Sequence, residues 1–269
     1  MATDTQECVV LITGASSGIG AEMARVAAAD GFDLVLTARR EENLNEVADS
    51  VEDEHGVEVT VLKKDLTDPD APRELYDETE GGGIEVHTLV NNAGFGVYGG
   101  FEETDAEAEL NMLRVNVLAL TQLTKLFVPP MVERGEGGVL SAGSIASYFP
   151  TPRMAIYGAT KAYVLWFTRA LAHEFEDDGL TVTAYCPLPV DTEFMEKNNV
   201  DRSALLDGIT NDAETVAENA WNGYKRGRRV VWTSPTGARF ARLGRLLPQR
   251  TVTSLSADVM DEGVSYNPL

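Results

Sequence analysis

The 269-residue sequence is poor in the residues that build metal sites and disulfide frameworks. Its two cysteines, Cys8 and Cys186, lie far apart, and none of its three histidines has metal-ligand spacing to another. The sequence therefore indicates neither a disulfide framework nor a metal site. Two unpaired thiols fit a reducing compartment, so we expect a cytoplasmic protein.

Basic residues are also scarce. Lys and Arg together number 22 against 43 Asp and Glu, which gives a formal net charge of -21, and only six of the basic residues are lysine. Such a surface repels polyanions, so nucleic acid is not an expected partner. A dense carboxylate shell also suits a high-salt cytoplasm, which makes halophilic adaptation a hypothesis.

Long apolar runs are missing as well. No stretch reaches the roughly 18 apolar residues of a membrane span, and residues 1–7 are acidic and polar rather than basic and then apolar. The composition is instead that of a packed enzyme, with 43% hydrophobic residues and 24 glycines. The length suits one large domain, which we place at residues 1–233, with the tail 234–269 in the same unit.

Short β-branched runs alternate with longer amphipathic segments along the chain. Strands are predicted at 8–13, 34–37, 57–62, 88–91, 138–141, 180–186 and 229–232, and helices at 21–30, 41–54, 107–127, 159–176 and 212–224. Alternation of this kind requires crossovers on both faces of a parallel sheet. The sequence therefore predicts an α/β fold of the Rossmann type, a doubly wound seven-stranded parallel sheet with helices on both faces.

The tail has a weaker pattern, in which basic and apolar residues alternate. The residues concerned are Arg239, Phe240, Arg242, Leu243, Arg245, Leu246 and Leu247. They predict a basic amphipathic helix, which could cover the substrate pocket or a subunit interface. Contact with a membrane surface is the alternative.

A glycine-rich turn follows the first predicted strand and opens the first predicted helix. It reads Thr13-Gly14-Ala15-Ser16-Ser17-Gly18-Ile19-Gly20. Glycine lets backbone approach a pyrophosphate closely, and a helix N-terminus offers amide donors to it. A glycine cluster can also be an ordinary turn, but the strand before it and the helix after it favour dinucleotide binding.

The end of the second predicted strand bears on the choice of cofactor. Arg39 stands where an NAD enzyme would place an acidic residue for the ribose hydroxyl. A guanidinium suits a 2′-phosphate, so NADP(H) is favoured over NAD(H). Arg39 could instead be a solvated residue at a helix start, which is our interpretation of Arg40.

Two later motifs, Asn91-Asn92-Ala93-Gly94 and Tyr157-Gly158-Ala159-Thr160-Lys161, complete a pattern. Their spacing from the glycines resembles the classical short-chain dehydrogenase/reductase family over about residues 8–232. The resemblance implies a catalytic tetrad of Asn116, Ser144, Tyr157 and Lys161. The cofactor-binding residues expected from the turn and the resemblance are Gly14, Ser16, Ser17, Gly18, Ile19, Gly20, Arg39, Asp65, Leu66, Asn91, Ala93, Gly94, Tyr157, Lys161, Val190 and Thr192.

The spacing of Tyr157, Lys161 and Ser144 bears on how the tetrad could act. Tyr157 and Lys161 are four apart in a helical pattern, so both project from one face, and an ammonium there favours an ionised phenol. Alone such a pair is usually two neighbours on a helix, and Ser144, thirteen residues before Tyr157, is what favours catalysis. The family resemblance implies that Ser144 holds the substrate oxygen, Lys161 the nicotinamide ribose and Asn116 a relay water.

Several residues keep a second interpretation. Asn91 and Asn92 could be turn-forming amides, and Asp65 could cap a helix before Pro69. Leu188, in Pro187-Leu188-Pro189, stands where the family usually has glycine. A leucine enters glycine-only backbone geometry at a cost, which predicts an altered loop position or cofactor affinity.

The expected activity is NADP(H)-dependent hydride transfer between a carbonyl and an alcohol. The alternative is a non-catalytic dinucleotide-binding or redox-sensing module. A largely apolar small-molecule pocket is expected from Phe95, Tyr98, Tyr148, Phe149, Pro150, Leu188, Phe194 and Met195, which do not select one carbonyl substrate. The resemblance also implies a homodimer or homotetramer that pairs through the two long helices containing Asn116 and Tyr157.

Overall fold

The computed structural model describes residues 8–190, 211–244 and 246–262. Its centre is a seven-stranded, all-parallel sheet with the strand order β3-β2-β1-β4-β5-β6-β7. The strands are β1 (Val9–Thr13), β2 (Asp33–Ala38), β3 (Val59–Lys63), β4 (Val86–Asn91), β5 (Gly138–Ala142), β6 (Thr181–Cys186) and β7 (Val230–Trp232). The predicted seven-stranded parallel sheet is confirmed.

Helices cover both faces of this sheet. They are α1 (Gly18–Ala29), α2 (Glu41–His55), α3 (Ala71–Glu78), α4 (Ala106–Leu113), α5 (Leu120–Arg134), α6 (Ala155–Glu174), α7 (Ala213–Lys225), α8 (Pro235–Gly244) and α9 (Gln249–Glu262). One apolar core lies between the sheet and α1, α2 and α7, and a second lies between the opposite face and α3 and α5. Central strands such as β1 are buried along their whole length because both faces are covered.

The long helix predicted at 107–127 is interrupted and extended. α4 is followed by a π-helical turn, Arg114–Ala119, and α5 then continues to Arg134. Pro129 and Pro130 lie inside α5, whose end is set instead by Gly135 in the left-handed region at φ 72°. The π turn is not predicted from the sequence, and it places Asn116 in a widened part of the helix.

The combined segment Ala106–Arg134 also has the length and mean hydropathy of a membrane span. No run of that kind is predicted from the sequence, because polar residues such as Asn111, Arg114 and Asn116 interrupt it. Half of its most apolar window is buried inside the protein, where α5 packs against the sheet and α3. Its apolar character is thus largely explained as that of a core helix.

The tail forms two helices, and α8 covers only the first part of the basic amphipathic helix predicted around 239–247. α8 ends at Gly244, and Leu246 and Leu247 follow it with 81% and 45% of their surface exposed. Arg245 lies outside the described residues. Pro248 stops the chain from continuing α8, because its ring excludes a helix across that point. α8 packs against β7 and against residues 145–148, beside the carboxyl end of the sheet.

Candidate active site

The site lies where the strand order reverses. β1 has β2 and β4 as its two neighbours, so the chain leaves the carboxyl ends of β1 and β4 in opposite directions and opens a crevice between them. This crevice is part of a cleft of about 590 Å³ that extends along the carboxyl ends of β2, β3, β5 and β6. The glycine-rich turn and residues of both later motifs line this cleft.

The glycine-rich turn forms one wall of the cleft. Gly14 and Gly18 have φ values of 68° and 56°, a region that favours glycine. A Cβ on Gly20 would lie 2.2 Å from the Gly14 carbonyl oxygen, so α1 begins closer to the turn than any other residue allows. Ser17 precedes α1 in extended backbone and its side chain does not cap the helix. The first-turn amides therefore keep their capacity to bind an anion.

Arg40 departs from its predicted role. Its Nη2 donates to Ser17 Oγ at 2.7 Å and to Ser16 Oγ at 3.3 Å, and the residue is half-buried. Arg40 is thus not a solvated helix-start residue, because its side chain folds back from the start of α2 over the glycine-rich turn. Arg39 is exposed and also lines the cleft. Both guanidinium-bearing residues therefore stand where a 2′-phosphate is expected.

Of the two neighbouring asparagines, Asn92 lines the cleft, whereas Asn91, the predicted cofactor contact, does not. Asn91 is absent from the cleft lining and donates to Thr124 Oγ1 of α5 at 3.1 Å. Asn92 lines the cleft, donating from Nδ2 to the carbonyl oxygens of Thr13 and Gly14 and accepting the Tyr185 hydroxyl proton at 2.8 Å. Only Asn92, the residue directly after β4, therefore lies at the cleft.

The remaining predicted cofactor contacts mostly line the cleft. Ala93, Gly94, Leu66 and Val190 do so, as does Asp65. Asp65 Oδ1 accepts from the backbone nitrogen and hydroxyl of Thr67 at 3.0 and 2.9 Å, whereas the residue before α3 is Asp70. Asp65 is therefore not a helix cap. Thr192 lies outside the described residues.

Ser144 is held in place by the turn that follows β5. Its Oγ accepts from Ala146 N at 3.1 Å, and its own amide donates to Ser147 Oγ. Ser147 Oγ in turn donates to the Lys161 carbonyl oxygen at 2.7 Å, which fixes the turn to α6. A hydrogen bond joins Ser144 to the Tyr157 side chain. The turn after β5 and the next helix, α6, thus bring a serine and a phenol together.

The electrostatics of Tyr157 and Lys161 differ from the expectation. Burial raises the pKa of Tyr157 to about 12, although the hydrogen bond with Ser144 acts to lower it. Lys161 Nζ lies 5.8 Å from the centre of the Tyr157 ring and donates to the Ala142 carbonyl oxygen at 2.8 Å. Burial lowers the pKa of Lys161 to about 8. The predicted acidic phenol is wrong for this structure, because loss of solvent outweighs the ammonium at that distance.

Asn116 lies beneath the cleft in the π turn. Its side chain exchanges hydrogen bonds with the backbone of Phe95 at 3.1 and 2.9 Å and donates to Thr160 Oγ1 at 3.1 Å. A Cβ on Gly94 would lie 3.0 Å from Asn116 Oδ1 and 3.3 Å from Lys161 Nζ. The glycine therefore keeps the amide and the ammonium close to each other.

The cleft lining agrees only in part with the predicted substrate pocket. Phe95, Tyr98 and Leu188 line the cleft, joined by Ile145, Ala146 and Met154, which the sequence does not single out. Tyr148 instead contacts Trp232, with ring centroids 6.3 Å apart. Phe194 and Met195 lie outside the described residues.

Leu188 does not adopt glycine-only geometry. Arg153 is the non-glycine residue with positive φ in the described part of the chain. Leu188 is 5% exposed, and its Cγ is 3.5 Å from the position of a Cβ on Gly237 in α8. The predicted backbone conflict is therefore absent, because the loop takes an ordinary conformation and the side chain packs against α8.

The short chain dehydrogenase profile matches this sequence over residues 8–203. The chain belongs to the short-chain dehydrogenase family. The family comprises oxidoreductases that bind NAD(P)(H), and the match includes the glycine-rich turn, the asparagine motif and the tetrad. The resemblance inferred from the motifs is confirmed.

Three members of the family illustrate the similarity. Sulfoacetaldehyde reductase 2 of Chromohalobacter salexigens is 36% identical over 217 residues, which cover 78% of this chain and 85% of that protein. Very-long-chain 3-oxoacyl-CoA reductase-B of Danio rerio is 33% identical over 189 residues, 68% of this chain but only 60% of that protein. A short-chain dehydrogenase from Sphingobium yanoikuyae, solved in complex with NADPH, is 34% identical with a TM-score of 0.81, covering 93% and 96% of the two chains.

Proposed function

We propose that this short-chain dehydrogenase is an NADP(H)-dependent oxidoreductase that interconverts a carbonyl and an alcohol, with Tyr157 as the general acid and base. The observation that carries the proposal is the hydrogen-bonded Ser144–Tyr157 pair, with Lys161 Nζ 5.8 Å from the phenol ring, inside the switch-point cleft. A module that only binds a dinucleotide does not require these three side chains together.

The residues present suit NADP(H). The uncapped start of α1 and the space beside Gly20 suit a pyrophosphate, and Arg39 and Arg40 suit a 2′-phosphate. Asp65 and Leu66 line the expected adenine end. The bound cofactor would supply or accept the hydride. The NADPH complex of the Sphingobium yanoikuyae relative supports the choice of NADP(H).

The chain's own residues would handle the proton and the oxygen. With a pKa of about 12 the Tyr157 hydroxyl is protonated at neutral pH, which suits a proton donor to a substrate oxygen during carbonyl reduction. The Ser144 hydroxyl would orient that oxygen. Lys161, with a pKa of about 8, is mostly an ammonium at pH 7 and would stabilise the charge that develops on the phenol. Alcohol oxidation is the reverse sequence.

The test measures loss of NADPH absorbance over a panel of ketones and aldehydes with wild type and Tyr157→Phe. We expect turnover by wild type and a loss of at least about 100-fold in Tyr157→Phe, since a positioned acid contributes about that much. Tyr163→Phe is the matched control, because Tyr163 lies on the same helix and its hydroxyl contacts Thr121 at the surface. Equal rates in Tyr157→Phe and wild type would reject the mechanism. NADPH binding without turnover of any substrate would favour the non-catalytic alternative.

We also propose a cytoplasmic homo-oligomer assembled through α5 and α6. Leu118, just before α5, and Trp166 of α6 are 62% and 60% exposed, and a hydrogen bond between Thr121 and Tyr163 joins α5 to α6. Large apolar side chains exposed together favour a subunit interface over solvent.

Membrane contact through the tail remains a prediction, which co-sedimentation of wild type and a tail deletion with liposomes would test.

A further inference from the structure

The end of the cleft around Tyr157 carries little charge in the described part of the chain. The side chains lining it there are mostly apolar or aromatic, namely Phe95, Tyr98, Ile145, Met154, Leu188 and Val190. Four charged lining residues, Arg39, Arg40, Lys64 and Asp65, follow β2 and β3 at the opposite end. Lys161, the other charged residue of the described lining, donates to Ala142 and faces the phenol. Positive charge is therefore concentrated where the cofactor phosphates are expected.

One wall of this apolar end is supported by α8, the first helix of the tail. Leu188 lies between the cleft and Gly237 of α8 and is 5% exposed. α8 also packs against residues 145–148, the turn directly after Ser144. Tyr148 of that turn contacts Trp232 at the end of β7. Leu188, the turn and α8 thus form one apolar wall behind the serine hydroxyl.

We propose that the substrate is an uncharged ketone or aldehyde with an apolar substituent, and that Leu188, supported by α8, is the specificity-determining residue on which this substituent packs. This inference rests on the proposed function. Burial of each additional methylene against such a wall is worth about fourfold in kcat/KM. Apart from Lys161, which faces the phenol, the described lining at this end offers no cation to replace the hydration of an anionic substituent, and the net charge of -21 repels it.

The first experiment compares substrates of wild type by loss of NADPH absorbance. A series from 2-butanone to 2-octanone tests the apolar wall, and acetophenone against 4-acetylbenzoate tests charge at matched shape. Sulfoacetaldehyde adds a short anionic aldehyde. We expect kcat/KM to rise along the alkanone series and to be at least about tenfold higher for acetophenone than for its carboxylate. A preference for the anionic compounds would overturn the substrate class.

The second experiment compares Leu188→Ala with Leu246→Ala. Leu246 follows α8, the helix that supports Leu188, but is 81% exposed, so its truncation is the matched control. Leu188→Ala should lower kcat/KM for 2-octanone about tenfold through KM, change 2-butanone little, and leave NADPH binding by fluorescence unchanged. If kcat/KM depends on alkanone chain length in both variants as it does in wild type, Leu188 does not determine the specificity.

Two further outcomes separate this inference from the proposed function. If wild type binds NADPH but reduces none of the compounds, the oxidoreductase proposal fails, and the substrate proposal fails with it. If ketones are reduced without regard to charge or chain length, only the substrate proposal fails. Should Leu188→Ala not fold, Leu188→Val removes one methylene from the wall, and an unchanged chain-length profile in that variant would also reject the proposal.

Discussion

Replacing Lys161 by arginine should move the alkaline limit of carbonyl reduction to higher pH. Reduction needs a protonated Tyr157, whose pKa is about 12, and an ammonium at Lys161, whose pKa is about 8. At pH 7 both groups are protonated, Lys161 by about ten to one. As pH rises through 8 the lysine loses its charge while the phenol keeps its proton, so Lys161 sets the limit.

The size of the effect follows from the geometry. A unit charge 5.8 Å from the ring centre stabilises charge on the phenol by about 3 kcal/mol at the effective dielectric of a partly buried site. That energy corresponds to about 100-fold in rate. Wild-type kcat/KM should therefore be nearly flat up to about pH 7.5, fall by about 20-fold between pH 7.5 and 9.5, and approach a rate about 100-fold lower above about pH 10. Arginine stays charged throughout this range, so Lys161→Arg should lack the fall.

The assay is the pH dependence of ketone reduction by wild type, Lys161→Arg and Lys161→Met. Lys161→Met should be about 100-fold slower than wild type at pH 7 and nearly independent of pH from 6 to 9. Lys125→Met, an exposed lysine on α5, is the control and should keep the wild-type profile. A wild-type rate that stays flat to pH 10, or the same fall in Lys161→Arg, would refute this reasoning.

Further predictions concern the cofactor, the fold, the assembly and salt. Arg40→Ala should weaken NADPH binding by about 10- to 100-fold in fluorescence titration and NADH binding much less, since a charge-assisted hydrogen bond is lost; equal weakening would exclude a 2′-phosphate role. Asn92→Ala should cost about 3 kcal/mol because buried partners lose their hydrogen bonds, lowering Tm in calorimetry by about 10 °C; an unchanged Tm would contradict this. Trp166→Asp should yield monomers in light scattering; an unchanged oligomer would show that α6 is not the interface. Without molar salt, circular dichroism should show unfolding, and full stability there would end the halophile hypothesis.

Much of the fold follows from local sequence. Buried strands of β-branched residues and amphipathic helices have different periods, and their alternation leaves a doubly wound parallel sheet as the way to cover both faces. The glycine-rich turn is also locally determined, because Gly14 and Gly18 need positive φ and Gly20 needs the missing side chain. The switch-point cleft and most of its predicted lining therefore follow from the pattern and the family resemblance.

What only the tertiary structure decided depends on contacts between distant segments. Asn92 rather than Asn91 lines the cleft, where it binds the carbonyl oxygens of Thr13 and Gly14, and Arg40 reaches Ser17 because α2 starts beside the turn. Leu188 finds a place against α8, which no local pattern relates to it. The pKa of Tyr157 rises instead of falling, because solvent exclusion is a property of the packed protein and the spacing of four residues carries no information about it.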